Sequence, residues 1–570
     1  MACGMTEYTG ADLFVDALET YGIEHVFGNP GTTELPVTRA LADSDVAYAL
    51  GLHEDVAVGA AAGYASTRLA YADELDGLPA GVVNLHVAPG TAHGLGNLYD
   101  ASVTGAPLVV TAGAHGRGFR HEEPILDGDM VAMTEQFTKW SAEVLDVDSL
   151  PTMLRRAFRV ACTPPTGPVF LALPLDVMRA ETEAEPEPVG GRIQNAGRGD
   201  PAALEEAAER LAAANDPVLV VGDHVPRHAA SSPVDPVDAA VDLAEAAGMR
   251  VHGEILSSEA SFPTDHDQWV SHIPPSEEFA QALLNTDTLV FAGVSTNTTL
   301  WDHDDPLVPG DPTCIHLATD AWEVAKNQPG TGVTGDLGLL LSDLAERVRE
   351  RVDAEERQKR LDGVAAMKTF AERKVADLAE SDVEDPRPSK PDLVDALNAV
   401  VPDAYVVDEG VTAKYALLSR WDFAPGDLAS NKGGGLGYGL PASVGAALAE
   451  SMRPEGDRRD VVGFVGDGSY LYYPQSVQLA ASLGVDLTVV VVDNRNYRIL
   501  KDNQRAMFGD DETDDDFVGM DFDPPVDIAA SATANGVDGR RVDPDDDLER
   551  ALADAVDTAG PVVVDVPVHD

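Results

Sequence analysis

The stretch Phe464-Val465-Gly466-Asp467-Gly468-Ser469-Tyr470 sets one carboxylate between two glycines at the end of an apolar run. A carboxylate in that position suits a hard cation, and the neighbouring amides of Gly468 and Ser469 suit an anion. A second apolar run, Leu487 to Val492, ends in Asp493-Asn494-Arg495-Asn496-Tyr497, so Asn494 follows Asp467 by 27 positions. Asn494 offers an amide oxygen and Asn496 a backbone carbonyl. Asp467, Asn494 and Asn496 are therefore a candidate ligand set for magnesium, which takes six oxygens and is commonly shared with phosphates. The same residues also suit a plain tight turn capped by Asp and Asn. The polar ending of the second run favours the cation and a diphosphate.

Particular elements must hold these residues. Val461 to Val465 reads as a short buried strand, Val477, Leu479, Ala480 and Leu483 recur at helical spacing, and Leu487 to Val492 reads as a second strand. The order is strand, loop, helix, strand, with oxygen-bearing residues where both strands end. Open parallel sheets bind ligands there, and the helix adds a positive N-terminal end that suits a diphosphate.

The same alternation of aliphatic strands and amphipathic helices runs through the chain, the signature of α/β layers. At 570 residues it is too long for one core. Two linker-like stretches, Glu181 to Asp200 and Ser381 to Lys390, divide it into 1–185, 200–350 and 390–570; a charged helical segment, Asp353 to Leu378, precedes the second. The first and last pieces end alike, in TGPVFLALPLD (Thr166 to Asp176) and AGPVVVDVPVHD (Ala559 to Asp570). That echo points to a duplicated α/β unit.

Lys and Arg total 39 against 98 Asp and Glu, a net charge of −59. Nucleic acid and anionic membrane surfaces are thus excluded as expected partners by repulsion. Acid spread over the whole length, with few lysines, fits a halophilic enzyme. Cys3, Cys162 and Cys314 are scattered without metal-ligand spacing. With no apolar run of spanning length, the expected location is the reducing cytoplasm.

Further segments carry a resemblance. GNPGTTELP (Gly28 to Pro36), LHEDVAVGAAAGYA (Leu52 to Ala65), NLHVAPGTAHG (Asn84 to Gly94) and GGGLGYGLPASVGAALAE (Gly433 to Glu450) join the GDG motif. Together they resemble the thiamine-diphosphate-dependent decarboxylase and acetolactate synthase superfamily over nearly the full chain, and the benzoylformate decarboxylases most. The resemblance implies three doubly wound α/β domains with parallel sheets: a pyrimidine-binding domain (1–185), a central domain (200–350) and a diphosphate-binding domain (390–570), the outer two sharing one fold. It implies thiamine diphosphate and Mg2+ as cofactors and a small 2-oxo acid as substrate. It also implies a homodimer at minimum, with a homotetramer expected and the site between chains, Glu54 of one facing Asp467 of the other.

Glu54 begins a helix of small residues, Ala57 to Ala65, that would pack closely, exclude water and disfavour its charged form. By resemblance it hydrogen-bonds N1′ of the aminopyrimidine. The carbonyl of Gly434 receives the 4′-amino group, and Leu436 is the wedge that bends the cofactor. The dinucleotide fingerprint is a poor match for Gly433-Gly434-Gly435-Leu436, because the preceding residues are polar and the glycine spacing differs. Thr412, Gly468, Ser469 and Tyr497 complete the expected cofactor contacts. His86, after the strand Gly81 to Leu85, matches the active-site proton relay, and Thr32 matches a hydroxyl that contacts the substrate carboxylate. His93 has no matching role.

Two departures limit the match. No gap-free pairing puts a second active-site histidine in Thr298 to Pro306, where His303 substitutes only if the loop shifts. Ile499 stands where a small pocket residue is expected and narrows the space for an aromatic substrate. The leading expectation is non-oxidative decarboxylation of a 2-oxo acid to an aldehyde. The rivals are an acetolactate synthase-like carboligase, against which the proton donor His86 argues, and a flavin-dependent oxidoreductase with its redox group in the central domain.

Overall fold

Short runs rich in valine, leucine and alanine form eighteen strands among the described residues, arranged in three six-stranded sheets. The computed structural model describes residues 8–190, 197–295, 298, 302–327, 330–379, 385–508 and 517–569. Every strand pairs in parallel with its neighbours. Helices cover both faces, so central strands are apolar throughout instead of alternating.

The first sheet contains β1 (His25–Gly28), β2 (Ala47–Leu50), β3 (Gly81–His86), β4 (Leu108–Ala114), β5 (Trp140–Glu143) and β6 (Val169–Pro174), in the order β2-β1-β3-β4-β6-β5. The second contains β7 (Pro217–Val221), β8 (Arg250–Gly253), β9 (Trp269–His272), β10 (Thr288–Ala292), β11 (Thr313–Ala318) and β12 (Thr331–Thr334), in the order β12-β11-β10-β7-β8-β9. The third contains β13 (Tyr405–Glu409), β14 (Leu428–Ser430), β15 (Val461–Gly466), β16 (Leu487–Asp493), β17 (Asp538–Arg541) and β18 (Pro561–Pro567), in the order β14-β13-β15-β16-β18-β17. The first and third sheets thus share one strand order. The echoed sequence endings are their equivalent strands β6 and β18.

Small residues bring these two sheets together. The helices Glu54–Ala70 and Gly439–Ser451 cross so closely that a Cβ at Gly445 would lie 1.9 Å from the Ala60 carbonyl oxygen. One at Gly63 would lie 2.0 Å from the Ala442 oxygen. The small residues expected to exclude water around Glu54 therefore also make this contact.

One local expectation differs. No loop follows β15, because a short helix, Asp467–Tyr472, starts at Asp467 itself and a second, Ser476–Leu483, follows. Asp467 Oδ1 accepts the Gly468 amide at 2.7 Å, which satisfies one of the free donors of that helix start. Cys162 and Cys314 are free thiols, and Cys3 lies outside the described residues. No helix among the described residues is long and apolar enough to cross a membrane.

Candidate active site

The carboxyl end of the first sheet gathers the groups that can handle protons. β3 delivers His86, and the turn Thr32–Glu34 after β1 delivers Glu34, a buried residue that sequence reasoning passed over. Glu34 Oε2 lies 2.7 Å from His86 Nδ1 and also accepts the Gly31 amide at 2.9 Å. Thr33 donates to Glu34 Oε1 at 2.6 Å. With Nδ1–H donated to this carboxylate, Nε2 is the atom of His86 left to take or give a proton. Two glycines permit the pairing: a Cβ at Gly31 would fall 2.1 Å from His86 Nδ1, and one at Gly113 would fall 2.0 Å from Glu34 Oε1. The next residue, Val87, sits at φ +37°, a strained setting for a β-branched side chain. Thr32 is exposed on the same turn.

Glu54 heads its helix, buried, with His93 Nδ1 3.1 Å from its Oε2. Gly90 stands between Glu54 and His86: a Cβ there would come within 3.0 Å of Glu54 Oε1 and 3.3 Å of His86 Cβ. The two expected catalytic residues are therefore neighbours. His93 finds its place here, stacked on His53 with ring centroids 5.2 Å apart. Asp55, the next residue along, accepts the Asn97 amide and the Tyr473 hydroxyl, each at 2.8 Å, and burial raises its carboxyl to about 6. Tyr473 lies six positions beyond Asp467, so one hydrogen bond ties the start of the Glu54 helix to the third sheet.

At the carboxyl end of the third sheet, the register Gly466↔Val492 sets Asp467 beside Asp493, a second residue not singled out from sequence. Burial, together with the Asp493 carboxylate facing it, raises Asp467 to about 7, and its buried Oδ2 has no hydrogen-bond partner. A divalent cation would meet both deficits. Asn494 and Asn496 follow on the same turn, half-buried, with the Asn494 carbonyl accepting Asn496 Nδ2 at 2.6 Å and Arg495 between them at φ +58°. Gly468 must be glycine, since a Cβ would lie 2.7 Å from the Tyr497 ring. Ser469 is buried and donates to the Glu409 carbonyl at 3.1 Å. Thr412 lies on the turn Val411–Ala413 after β13, behind Val411 at φ +52°. Thus His86, Thr412 and the Asn494–Asn496 pair each adjoin a non-glycine residue in the left-handed region, the kind of strain that collects at functional sites.

The glycine loop is held from several sides. Gly434, at φ +74°, is exposed, and its amide donates to Asn431 Oδ1 at 2.8 Å. Glu409 accepts the Gly437 amide at 2.9 Å, the Gly439 amide at 2.8 Å and Asn431 Nδ2 at 2.7 Å. Burial pushes its carboxyl up to about 8. Leu436 is half-buried, and a Cβ at Gly434 or Gly435 would meet nothing within 4 Å, so the loop faces open space. From the first sheet's side, Asp100 accepts the Gly433 amide at 2.7 Å.

Two other residues stand apart. His303 is exposed, and its Nδ1 lies 2.8 Å from the Asp305 carbonyl oxygen in its own turn; residues 299–301 just before it lie outside the described residues. Ile499 is half-buried at the start of the helix Arg498–Phe508. Among the missed residues, Glu34 inside GNPGTTELP, Asp55 inside LHEDVAVGAAAGYA and Asp493 at the head of the second run's polar ending each had a signal, as acids within quoted motifs.

Comparison with known proteins places the chain as a whole in a family. Residues 8–138 match the N-terminal TPP binding domain of the thiamine pyrophosphate enzymes, 204–344 their central domain and 413–566 their C-terminal TPP binding domain. The chain is 31% identical to a benzoylformate decarboxylase of Pseudomonas aeruginosa, over 97% of each protein. It is 24% identical to a probable acetolactate synthase large subunit of Methanocaldococcus jannaschii, over 98% of this chain and 91% of that one. A solved thiamine diphosphate-dependent 4-hydroxybenzoylformate decarboxylase of Rhodococcus jostii is 27% identical, superposes with a TM-score of 0.82, and is covered over 99% of its length by 98% of this chain.

Proposed function

Because the chain belongs to the thiamine pyrophosphate enzyme family and carries its three domains in order, we propose that it is a thiamine-diphosphate- and magnesium-dependent 2-oxo acid decarboxylase that releases CO2 and an aldehyde. The observation that carries this reading is the pairing of half-buried His86 with buried Glu34, next to Glu54. A proton donor with a fixed tautomer beside the activating acid suits a product made by protonation.

The bound cofactor supplies an electron sink for the pair left behind when the substrate carboxylate departs. The chain supplies the rest. Asp467, Asn494 and the Asn496 carbonyl hold magnesium, and Gly468, Ser469, Thr412 and Tyr497 line the diphosphate. Glu54 would hold a proton at the pyrimidine N1′, Gly434 would offer its carbonyl to the 4′-amino group, and Leu436 would serve as the apolar wedge against the bound cofactor. Thr32 orients the substrate carboxylate, and His86 Nε2 gives the proton that completes the aldehyde. Exposed Leu35, Leu50, Leu52 and Tyr472 are apolar surface near these residues, which supports a second copy there and a homodimer or homotetramer as the working form.

A panel of aromatic and aliphatic 2-oxo acids, assayed with cofactor and magnesium in high salt, tests the reading. Cofactor-dependent aldehyde and CO2 in equal amounts are expected; no release from any member refutes it. The carboligase reading has one observation in its favour, the acetolactate synthase relative covering 98% of this chain. It would appear as acetoin-type products from pyruvate in place of free aldehyde.

A further inference from the structure

The central sheet has a crevice of its own. β8 follows β7 on one side and β10 packs on the other, so the strand order reverses at β7, and the carboxyl ends of β7 and β10 form the switch point where open α/β sheets take ligands. Three residues rise there: Asp223 after β7, Glu254 after β8 and Ser295 after β10. All three converge on one atom from another part of the chain. Lys432 Nζ donates to Asp223 Oδ2 at 2.6 Å, to Glu254 Oε1 at 2.9 Å and to Ser295 Oγ at 2.9 Å.

The charged groups of the cluster are buried and hydrogen-bonded. The Asp223 and Glu254 side chains are fully buried and that of Lys432 is 2% exposed. Glu254 also accepts the amides of Asp223 and Ser295, each at 2.8 Å, and Asp223 accepts Ser257 and Ser258 hydroxyls. Burial opposes the charge on Asp223, but Lys432 and Arg227 outweigh it and hold that carboxyl below its ordinary range. All three protons of the ammonium are used, which matches the three-donor geometry of lysine.

Lys432 is the residue before Gly433-Gly434-Gly435-Leu436, whose next amide is held by Asp100 from the first sheet. We propose that Lys432 is a positioning residue for the decarboxylation: it plugs the central crevice and anchors the glycine loop, so that the central domain sets where Gly434 and Leu436 meet the cofactor. The inference rests on the cofactor reading above. It also gives the crevice an occupant from the chain itself where a flavin-dependent reading would place a cofactor.

The test compares Lys432→Met with the triple variant Lys432→Met/Asp223→Asn/Glu254→Gln in the full-length enzyme. The single variant leaves Glu254 without its cation and Asp223 with Arg227 alone, and is open to folding defects. The triple variant removes the lysine together with both carboxylates it binds and leaves the Arg227–Glu259 pair in place, so that no carboxylate is stranded by loss of the lysine. The readouts are thermal midpoint, assembly size, cofactor affinity, kcat and KM, and the near-ultraviolet circular dichroism of bound thiamine diphosphate. The triple variant is expected to keep the wild-type midpoint and assembly, to lose about 10²-fold in kcat with substrate KM within a few-fold, as misplacement of about 1 Å would cause, and to alter the dichroism of the bound cofactor. Wild-type kcat per bound cofactor in the triple variant overturns the proposal. So does activity that falls only in step with the folded fraction. Wild-type enzyme inactive on every 2-oxo acid defeats the cofactor reading instead, so the two failures are separable.

Discussion

The first and third sheets are built alike and do different chemistry. In each, the third strand in sequence ends in a half-buried residue and runs straight into a short helix: β3 into Val87–His93 and β15 into Asp467–Tyr472. In each, the first strand is followed by a short turn, Thr32–Glu34 or Val411–Ala413. At this junction the first sheet carries an imidazole, His86, as the last residue of its strand, and the third carries a carboxylate, Asp467, one position later as the first residue of its helix. The neighbouring strand explains the contrast. Opposite His86 the register places Gly113, which leaves room for Glu34 to reach the ring. Opposite the end of β15, β16 runs on to Asp493, whose charge crowds Asp467 and, with burial, raises its carboxyl. Topology brings the strand ends together, and one or two residues there set whether the place suits proton transfer or, as proposed, a metal.

The largest expected effects divide along this line. Asp467→Ala should weaken magnesium-dependent thiamine diphosphate binding by at least ~100-fold, measured by calorimetric titration. Glu54→Gln should leave that affinity within a few-fold while lowering kcat roughly 10²–10⁴-fold. Both changes acting on binding alone would break the division of labour. Next in size, Glu34→Gln should lower kcat by roughly 10²-fold with cofactor affinity unchanged, because the wrong His86 tautomer becomes available. An unaltered pH–rate profile in that variant would remove Glu34 from the proton path.

The smallest effect concerns the third sheet alone. Burial raises the Glu409 carboxyl from 4.5 to about 8, so the native state binds its proton more tightly than the unfolded chain. Its contribution to stability should therefore fall as pH rises from 4.5 toward about 8 and level off above that. Chemical denaturation of wild type and Glu409→Gln across this range should show the variant gaining on wild type as pH rises. A constant difference would mean that Glu409 is already ionised throughout.

Much of this was legible in the chain. Apolar runs and helical spacing located the strands around Asp467 to within a residue, and the echoed endings foretold two like sheets, because such periodicity is local. The glycines of the GDG and Gly433–Gly435 segments marked places of close approach or open loop for the same reason. The loop expected after β15 was misplaced because a lone carboxylate between glycines reads as a turn, whereas in the fold Gly466 caps the helix and Asp467 is its first residue.

The partners of the key residues were another matter. Glu34 with His86, Asp493 with Asp467, Tyr473 with Asp55 and Lys432 with Asp223 join positions separated by between 26 and 418 residues. No spacing rule connects such pairs. The amino-acid order by itself determined which segments become strand and helix, and through its motifs the family and the cofactor. Which carboxylate faces a ring, a second carboxylate or a lysine was decided only when strand register and domain packing brought distant side chains together, where a buried charge is costly without a counterpart.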